Sequence, residues 1–399
     1  MALSTGLFNT TINPTELNAR SFAANILRLF PNGSAPMFAL SSQSGKSKAK
    51  ASTHGYFSKT MSFVSQAPAA QTAAAATTVS VASTAGMVAG LVLNCVRTRE
   101  NMRVTEVISA TEVRVTRAFG RVSAAQLETT DTLIAVGTAY EEGSVRPTAR
   151  RLTATYVPNY TQIFRNAWAL TDTARASFAE MGYSNIAEDR KECAMFHSMD
   201  IESALIWGQP KMDTTGSTPI HATQGVIDAL EQYAAANTNT ASSTTTYAQL
   251  VTMLEPLFTY ATDMSNPTER VAFCDNTAMK VINDIGRLSG TVQIQNAQTS
   301  FGLRFTSFKF YLGTINLVTH PLFNGLNSAA GRMLVMDMPA LKLAYMEGRD
   351  TKPTEYGTSG KPTDNGVDAV GGDLLTEVAV ELINPFSCGY IDGLTAAAA

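Results

Sequence analysis

Apolar residues recur at helical spacing from Ile186 to Ile206, and no other stretch constrains the fold as tightly. Cys193, His197, Ile201, Ala204 and Leu205 share one side, while Phe196, Met199 and Ile206 fall on the other. A helix that is apolar on two faces is sandwiched between layers of one chain or between neighbouring chains. Trp207-Gly208, followed by Pro210, ends it. The run Thr161-Gln162-Ile163-Phe164-Arg165 leads into it. No catalytic spacing occurs between Thr161 and Gly208.

Ahead of this helix the period changes. Residues 52–65 read as a strand anchored by Tyr56, Phe57 and Phe63, and Ala67–Ala76 as an Ala-rich connector. From Thr77 short β-like runs follow one another: Val79 and Val81, Leu91–Val96, Met102–Val107, Val113–Thr116 and Leu133–Val136. Short strands spaced about ten residues apart predict a small barrel or sandwich. Arg151–Val157 alternates again and returns past residues 52–65. Residues 77–145 therefore read as a domain inserted at the tip of a long hairpin, where its two ends lie close together.

Residues 1–50 carry little periodicity, broken by Pro14, Pro31, Gly33 and Pro36, and read as an extended arm with an amphipathic turn at Phe22–Phe30. After the central helix, residues 223–233 and 244–263 read as helices, the second interrupted at Pro256. Val271–Cys274 is a buried strand, and Asn276 caps a helix over Thr277–Arg287. Leu303–Tyr311, Thr314–Thr319 and Met333–Met338 are further strands, Thr351–Gly372 a long loop, and Glu377–Ile383 a last strand.

The chain has 399 residues, enough for two or three domains. Only 16% are charged, against about a quarter in ordinary proteins, as suits a subunit that buries surface against neighbours. The net charge of −3 gives no global signature for nucleic acid. Residues 1–60, however, set Arg20, Arg28, Lys46, Lys48, Lys50 and Lys59 against Glu16 alone. Such a stretch is either a solvated arm or a contact with phosphate or a neighbouring subunit.

Cys95, Cys193, Cys274 and Cys388 form no C-x-x-C pair and read as small buried hydrophobes, in keeping with a reducing assembly site. The N-terminus lacks the layout of a signal peptide. The longest apolar run, Ala85–Val96, is too short to span a bilayer.

Enzymatic motifs fail one by one. Gly45-Lys46-Ser47 has Leu40 where a phosphate loop needs Gly, and no amphipathic helix follows. His54, His197, His221 and His320 lack metal-type neighbours, and Cys193, His197 and Asp200 are expected to serve packing and polar satisfaction. Asp364-Asn365-Gly366, with Asp368 and Asp373, misses the calcium-loop template. Glu141-Glu142 reads as a solvated turn or an intersubunit ion pair. No catalytic, cofactor-binding or metal residue is expected.

The order of elements then carries the reading: basic arm, hairpin with inserted β-domain, long helix, mixed α/β region. With Glu141-Glu142-Gly143-Ser144, Thr161-Gln162-Ile163-Phe164, Asp200-Ile201-Glu202 through Gly208, Glu100-Asn101-Met102-Arg103-Val104 and Val115-Thr116-Arg117, it resembles major capsid proteins of tailed bacteriophages with the Hong Kong 97-type fold. Within these it is similar to a subgroup with a β-rich insertion in the extended loop. The resemblance is fullest over residues 50–210 and weaker to 390.

It implies an α+β fold with an N-terminal arm (1–50), an extended loop (51–76 and 146–175) and an insertion domain (77–145). A peripheral domain (176–219 and 346–399) would carry the spine helix (183–208), and 220–345 would form the axial domain. It implies a structural, non-enzymatic protein that self-assembles into an icosahedral head around double-stranded DNA. Its partners would be copies of itself in hexamers and pentamers, portal, scaffold or decoration proteins, and packaged DNA held non-specifically, with no membrane. It would reside in the virion after assembly in the bacterial cytoplasm.

The expected assembly contacts are Arg20, Arg28, Lys46, Lys48 and Lys50 of the arm, and the hairpin aromatics Tyr56, Phe57, Phe63, Tyr156, Tyr160 and Phe164. A tail, fibre or decoration protein, or a hydrolase with its site on 271–345, are the alternatives.

Overall fold

The computed structural model describes residues 35–41, 45–59, 65–147, 149–151, 153–176, 185–263, 268–289, 294–300, 303–327, 331–357 and 369–398. The turn expected at Phe22–Phe30, together with Arg20, Arg28, Phe63, Asp364, Asn365, Gly366 and Asp368, lies outside them.

In chain order the elements begin with α1 (Pro36–Ser41), β1 (Lys46–Ala49), β2 (Thr53–Ser58), β3 (Ser65–Gln66), β4 (Thr78–Ser80) and β5 (Leu91–Cys95). They continue with β6 (Asn101–Val107), β7 (Glu112–Thr116), β8 (Leu133–Thr138), β9 (Thr155–Tyr160), β10 (Gln162–Thr171), α2 (Asp172–Ala176) and α3 (Asn185–Trp207). Next come β11 (Lys211–Asp213), β12 (Ile220–Ala222), α4 (Val226–Tyr233), β13 (Thr238–Thr240), α5 (Tyr247–Leu254), β14 (Glu269–Cys274) and α6 (Asn276–Ser289). The last are β15 (Ile294–Ser300), β16 (Leu303–Phe310), β17 (Gly313–Thr319), α7 (Pro321–Asn327), β18 (Met333–Met336), β19 (Leu341–Met346), β20 (Lys352–Tyr356), β21 (Ala369–Leu382) and β22 (Gly389–Asp392).

They form two units, Phe57–Val157 and the rest of the chain. β2 and β9, which carry the chain out and back, pair with each other.

In the smaller unit, alternation places Met102 and Val104 of β6, and Val113 and Val115 of β7, on one buried face. The strand order is β3-β8-β5-β6-β7-β4. A bridge between Pro68 and Val81, with the Ala69 amide donating to the Ser80 carbonyl at 2.8 Å, joins the two ends. The sheet is thus a barrel, and closure leaves it without a long edge to aggregate. Ser65–Gln66, expected in the hairpin, is one of its strands.

One ion pair sits against the apolar barrel interior. Glu100 is fully buried, and its two oxygens accept from Arg117 Nε and Nη2, each at 2.8 Å. The amides of Ala118 and Ala125 add bonds of 3.0 and 3.1 Å. Burial by itself raises the Glu100 carboxyl; the Arg117 fork and the two amides outweigh it and leave it below its ordinary range.

The larger unit holds two extended sheets. β21 is the centre of the first, in the order β1-β19-β21-β10, with β20 also on β21. The second runs β13-β22-β18-β14-β17-β16-β15. Met37, Phe164, Ile201, Leu205, Leu230, Phe273, Phe323 and Val378 share one core, and Leu254, Ile282, Ile285, Phe308 and Leu317 a second. All four cysteines are buried. No helix of the described residues is long and apolar enough to cross a membrane.

Several expectations change. The loop read over Thr351–Gly372 contains β20 and the start of β21. A Cβ on Gly372 would meet Trp168 Nε1 at 2.8 Å and the Thr354 carbonyl at 2.5 Å, so glycine here marks close strand packing, not a loop. α6 is capped by Asp275, whose Oδ1 accepts from the Ala278 amide at 2.6 Å; Asn276 is already helical. Residues 35–49, assigned to the arm, are built into the core where they are described: Met37 is fully buried, and β1 pairs in parallel with β19.

Removing one member of a buried pair costs about 3–5 kcal/mol. Glu100→Ala is therefore expected to unfold the barrel at lower denaturant, read by urea titration of the isolated subunit. A carboxyl lowered in the folded state contributes fully above its ordinary value of 4.5 and loses that contribution as pH falls through its folded value. The stability gap between the unaltered chain and the E100A variant should accordingly narrow on acidification below 4.5.

Candidate assembly surface

The helical periodicity that produces α3 places Glu202 between Ile201 and the Leu205 turn, facing the core. Its side chain is fully buried. Glu202 Oε1 accepts from the Met37 amide at 2.8 Å and Oε2 from the Phe38 amide at 2.6 Å. These are orphan N–H groups of the first turn of α1. His320 Nε2, also buried, lies 2.8 Å from Oε1. One carboxyl therefore holds α1, the long helix α3 and the end of β17 together. In the sequence Glu202 stands out only as part of the run Asp200 to Gly208; an acid on the apolar face of a helix is the signal for its role.

The base of the hairpin is fixed by a second polar cluster. Asn159 is buried; its Oδ1 accepts from the amides of Tyr160 and Gln224, both at 2.7 Å, and its Nδ2 donates to the Val380 carbonyl at 2.7 Å. The Tyr56 hydroxyl donates to the Leu382 carbonyl. Burial, then Tyr233 and Glu381, push that hydroxyl up to about 12. His54 bonds one oxygen of Glu381, and Ser47 Oγ donates to the other at 3.1 Å. Thr161 Oγ1 donates to Glu377 at 2.8 Å.

The residues expected to make assembly contacts divide. Lys46 pairs with Asp350 at 2.7 Å and lies 4.6 Å from the Tyr345 ring centre, and Lys48 pairs with Glu347 at 3.9 Å. Both have partners within the chain, while Lys50 is exposed. Tyr56 is tied down as described, and Tyr160 packs on His221 with ring centres 5.9 Å apart. Phe57 and Tyr156 are 73% and 43% exposed, with ring centres 5.1 Å apart. Phe164 is a correction: only 6% exposed, it is spent in the subunit's own core.

Cys193 packs among apolar groups, while His197 and Asp200 share Asn166 as a hydrogen-bond partner. Cys193 packs on Trp168 and Val370. His197 bonds Asn166 Oδ1 and Thr376 Oγ1, each at 2.7 Å, and Asp200 accepts from Asn166 Nδ2 at 2.7 Å. Burial holds the His197 imidazole below its ordinary value, with Asp200 opposing. α3 is buried along this face. On the other, Ile206 is buried but Phe196 is 53% exposed, so the described residues cover that face only toward its C-terminal end.

A sequence model described as SU10 major capsid protein matches residues 6–395. A protein of Pseudomonas phage PaMx41 named major capsid protein is 47% identical over 405 residues, covering 99% of this chain and 97% of that one. Among solved structures, one titled Mycobacterium phage Bobi has a TM-score of 0.46 at 11% identity, covering 96% of this chain and 97% of its own. The holo-SrpI encapsulin complex of Synechococcus elongatus PCC 7942 has a TM-score of 0.44 at 9% identity, covering 62% of this chain and 80% of its own. Both structural likenesses are remote.

Glu202→Ala strands two amides and His320 in a fully buried site. It should lower subunit stability by about 3 kcal/mol or more, measured as a shift in denaturation midpoint. Glu202→Gln, which keeps an acceptor oxygen, should lose less than half of that.

Proposed function

The chain belongs to the SU10 major capsid protein family, and on that premise we propose that it works by overlapping contacts in a Hong Kong 97-type shell. It is a phage major capsid protein that assembles with copies of itself into a capsid lattice. The observation that carries this is the match to a phage major capsid protein across 99% of the chain.

The subunit's own topology supports the finer reading. Residues 1–50 contain the bridging arm, whose α1 turn is held by Glu202. The β2–β9 stem presents the hairpin and barrel to a neighbour, and the seven-stranded sheet serves the centre of a capsomer. Rings of hexamers and pentamers follow from repeated head-to-tail contacts. Each is made large, on the order of 1,600 Å² or more, by overlap.

Portal, scaffold and decoration proteins are further partners, assembly takes place in the bacterial cytoplasm, and the role is structural, not enzymatic. Over 271–345 the buried Asp275 is engaged in holding the fold: it accepts from the Ala278, Gly331 and Arg332 amides. Packaged double-stranded DNA is held non-specifically. A weakly charged inner face lets it slide, since many Lys contacts grip phosphates in a salt-dependent way.

Two truncations test this by negative-stain microscopy and circular dichroism. Removing residues 1–34 should leave a folded subunit that no longer builds stable closed shells. Removing 1–45 should also unfold it, because Met37 and Leu40 leave the core. Intact shells from the first truncation would sink the bridging role, and fibres from the unaltered chain would sink the capsid reading.

A further inference from the structure

Three carboxylates and one guanidinium line a cleft of about 150 Å³ in the larger unit. It lies at the end of the seven-stranded sheet where β14 and β17 begin and β18 ends. Parallel pairing sets Glu269 beside Thr314 and Val271 beside Asn316, and antiparallel pairing sets Val271 beside Met336. The strand starts thus bring Glu269 and Arg270 of β14 and Asn316 of β17 to the cleft, with Asp337 just past β18 and Asp263 ahead of β14.

The guanidinium is committed to the fold. Arg270 is 1% exposed; its Nε donates to the Ser387 carbonyl at 3.2 Å, Nη1 to the Glu269 carbonyl at 2.8 Å, and Nη2 to the Leu257 and Tyr260 carbonyls at 3.2 and 3.0 Å. The fork that would grip a phosphate or carboxylate is therefore spent on main-chain carbonyls. Asp337 is different. It is 4% exposed, and its Oδ2 accepts from the Thr262 amide at 3.0 Å. Its Oδ1 has no hydrogen bond among the described residues; Arg270 Nη1 lies 3.9 Å away, beyond hydrogen-bond reach. A carboxylate oxygen buried this deeply is costly without a donor. Asp263 and Glu269 are exposed and stand where the cleft meets solvent. Asn316, whose Oδ1 accepts from Ser307 Oγ at 2.8 Å, adds no charge.

These facts select the ligand. An anion would face three carboxylates. Among the described residues no three His, Cys, Asp or Glu are placed to hold a metal ion. The cleft has room for several waters at about 30 Å³ each, but it is roughly half the smallest common ligand pocket of about 300 Å³. That suits a single head group. An organic cation carrying N–H groups gives Asp337 Oδ1 its missing donor and offsets the surplus negative charge.

We propose that this cleft binds the ammonium or guanidinium head of an organic cation, with Asp337 Oδ1 as acceptor and Asp263 and Glu269 drawing the charge in. Such a head is carried by a free polyamine and by a Lys or Arg side chain alike. The site belongs to the single subunit and stands apart from the lattice reading.

Spermidine and methylguanidinium, titrated separately into the dilute full chain and followed by calorimetry and thermal melting, test this. Each should bind saturably and raise the melting temperature. Asp337→Asn keeps an oxygen for the Thr262 amide but loses the charge, and should weaken binding at least about tenfold. Glu269→Gln, at an exposed position, should melt like the unaltered chain without probe and weaken binding about threefold, the scale of an exposed ion pair. Tighter binding of spermidine supports the site as one for a free polyamine, and tighter binding of methylguanidinium supports it as one for an arginine side chain. Failure of both probes to saturate would overturn the proposal. So would an equal melting shift from sodium chloride at matched ionic strength, or unchanged affinity in D337N. Should D337N not fold, unchanged affinity in E269Q would overturn it instead.

Discussion

A buried carboxyl is the point on which the larger unit depends. Glu202 sits on an otherwise apolar helix face, and burying such a group is favourable only when its lone pairs find donors. The amides of Met37 and Phe38 and the His320 ring converge on it. Each comes from a part of the sequence more than a hundred residues away, so the network can form only when α1, α3 and the end of β17 are all in place. Apolar packing of Leu205, Phe273 and Phe323 tolerates small slips. A carboxyl with directional partners does not, and it makes the entry point of the N-terminal segment a fixed feature of the folded subunit.

The same logic recurs at the hairpin base and in the barrel. Asn159 offers two donors and an acceptor, and uses them on β21, on the Thr223–Gln224 segment and on its own strand. Glu100 does so with Arg117 and two amides. In each case a polar side chain is satisfied inside an apolar surround, where unmade bonds are expensive. These residues set where strands begin and how they are registered. The cores alone set only which faces turn inward.

How much of this the sequence discloses follows the same division. Periodic features are legible: the strands of the barrel, the β2–β9 return and α3 all announce themselves through spacing of apolar residues. Features made by long-range partners are not. β20 and the first half of β21 look like a loop because Gly371 and Gly372 are there to admit Trp168 of β10, a residue far earlier in the chain. β1 looks like part of a basic arm because its lysines find Asp350 and Glu347 only in the folded chain. Asn276 looks like a helix cap because Asn caps helices; Asp275 wins because its second oxygen also binds the Gly331 and Arg332 amides. Phe164 looks like a surface anchor because nothing local shows that Ile201 and Val378 share its core.

What remains at the surface after these internal demands are met is the material for assembly. A shell subunit must join several neighbours with contacts weak enough to be undone while errors are corrected, and numerous enough to hold once the shell closes. Charged side chains committed inside the subunit, such as Lys46 and Arg117, contribute little to such contacts, because their partners are already chosen. Rings such as Phe57 that remain in water gain apolar contact only where another surface covers them. A low overall charge then keeps repulsion between copies small while leaving local charge to direct them. The division of labour is therefore chemical: satisfied polar groups define one subunit, and only what they leave exposed is available to a neighbour.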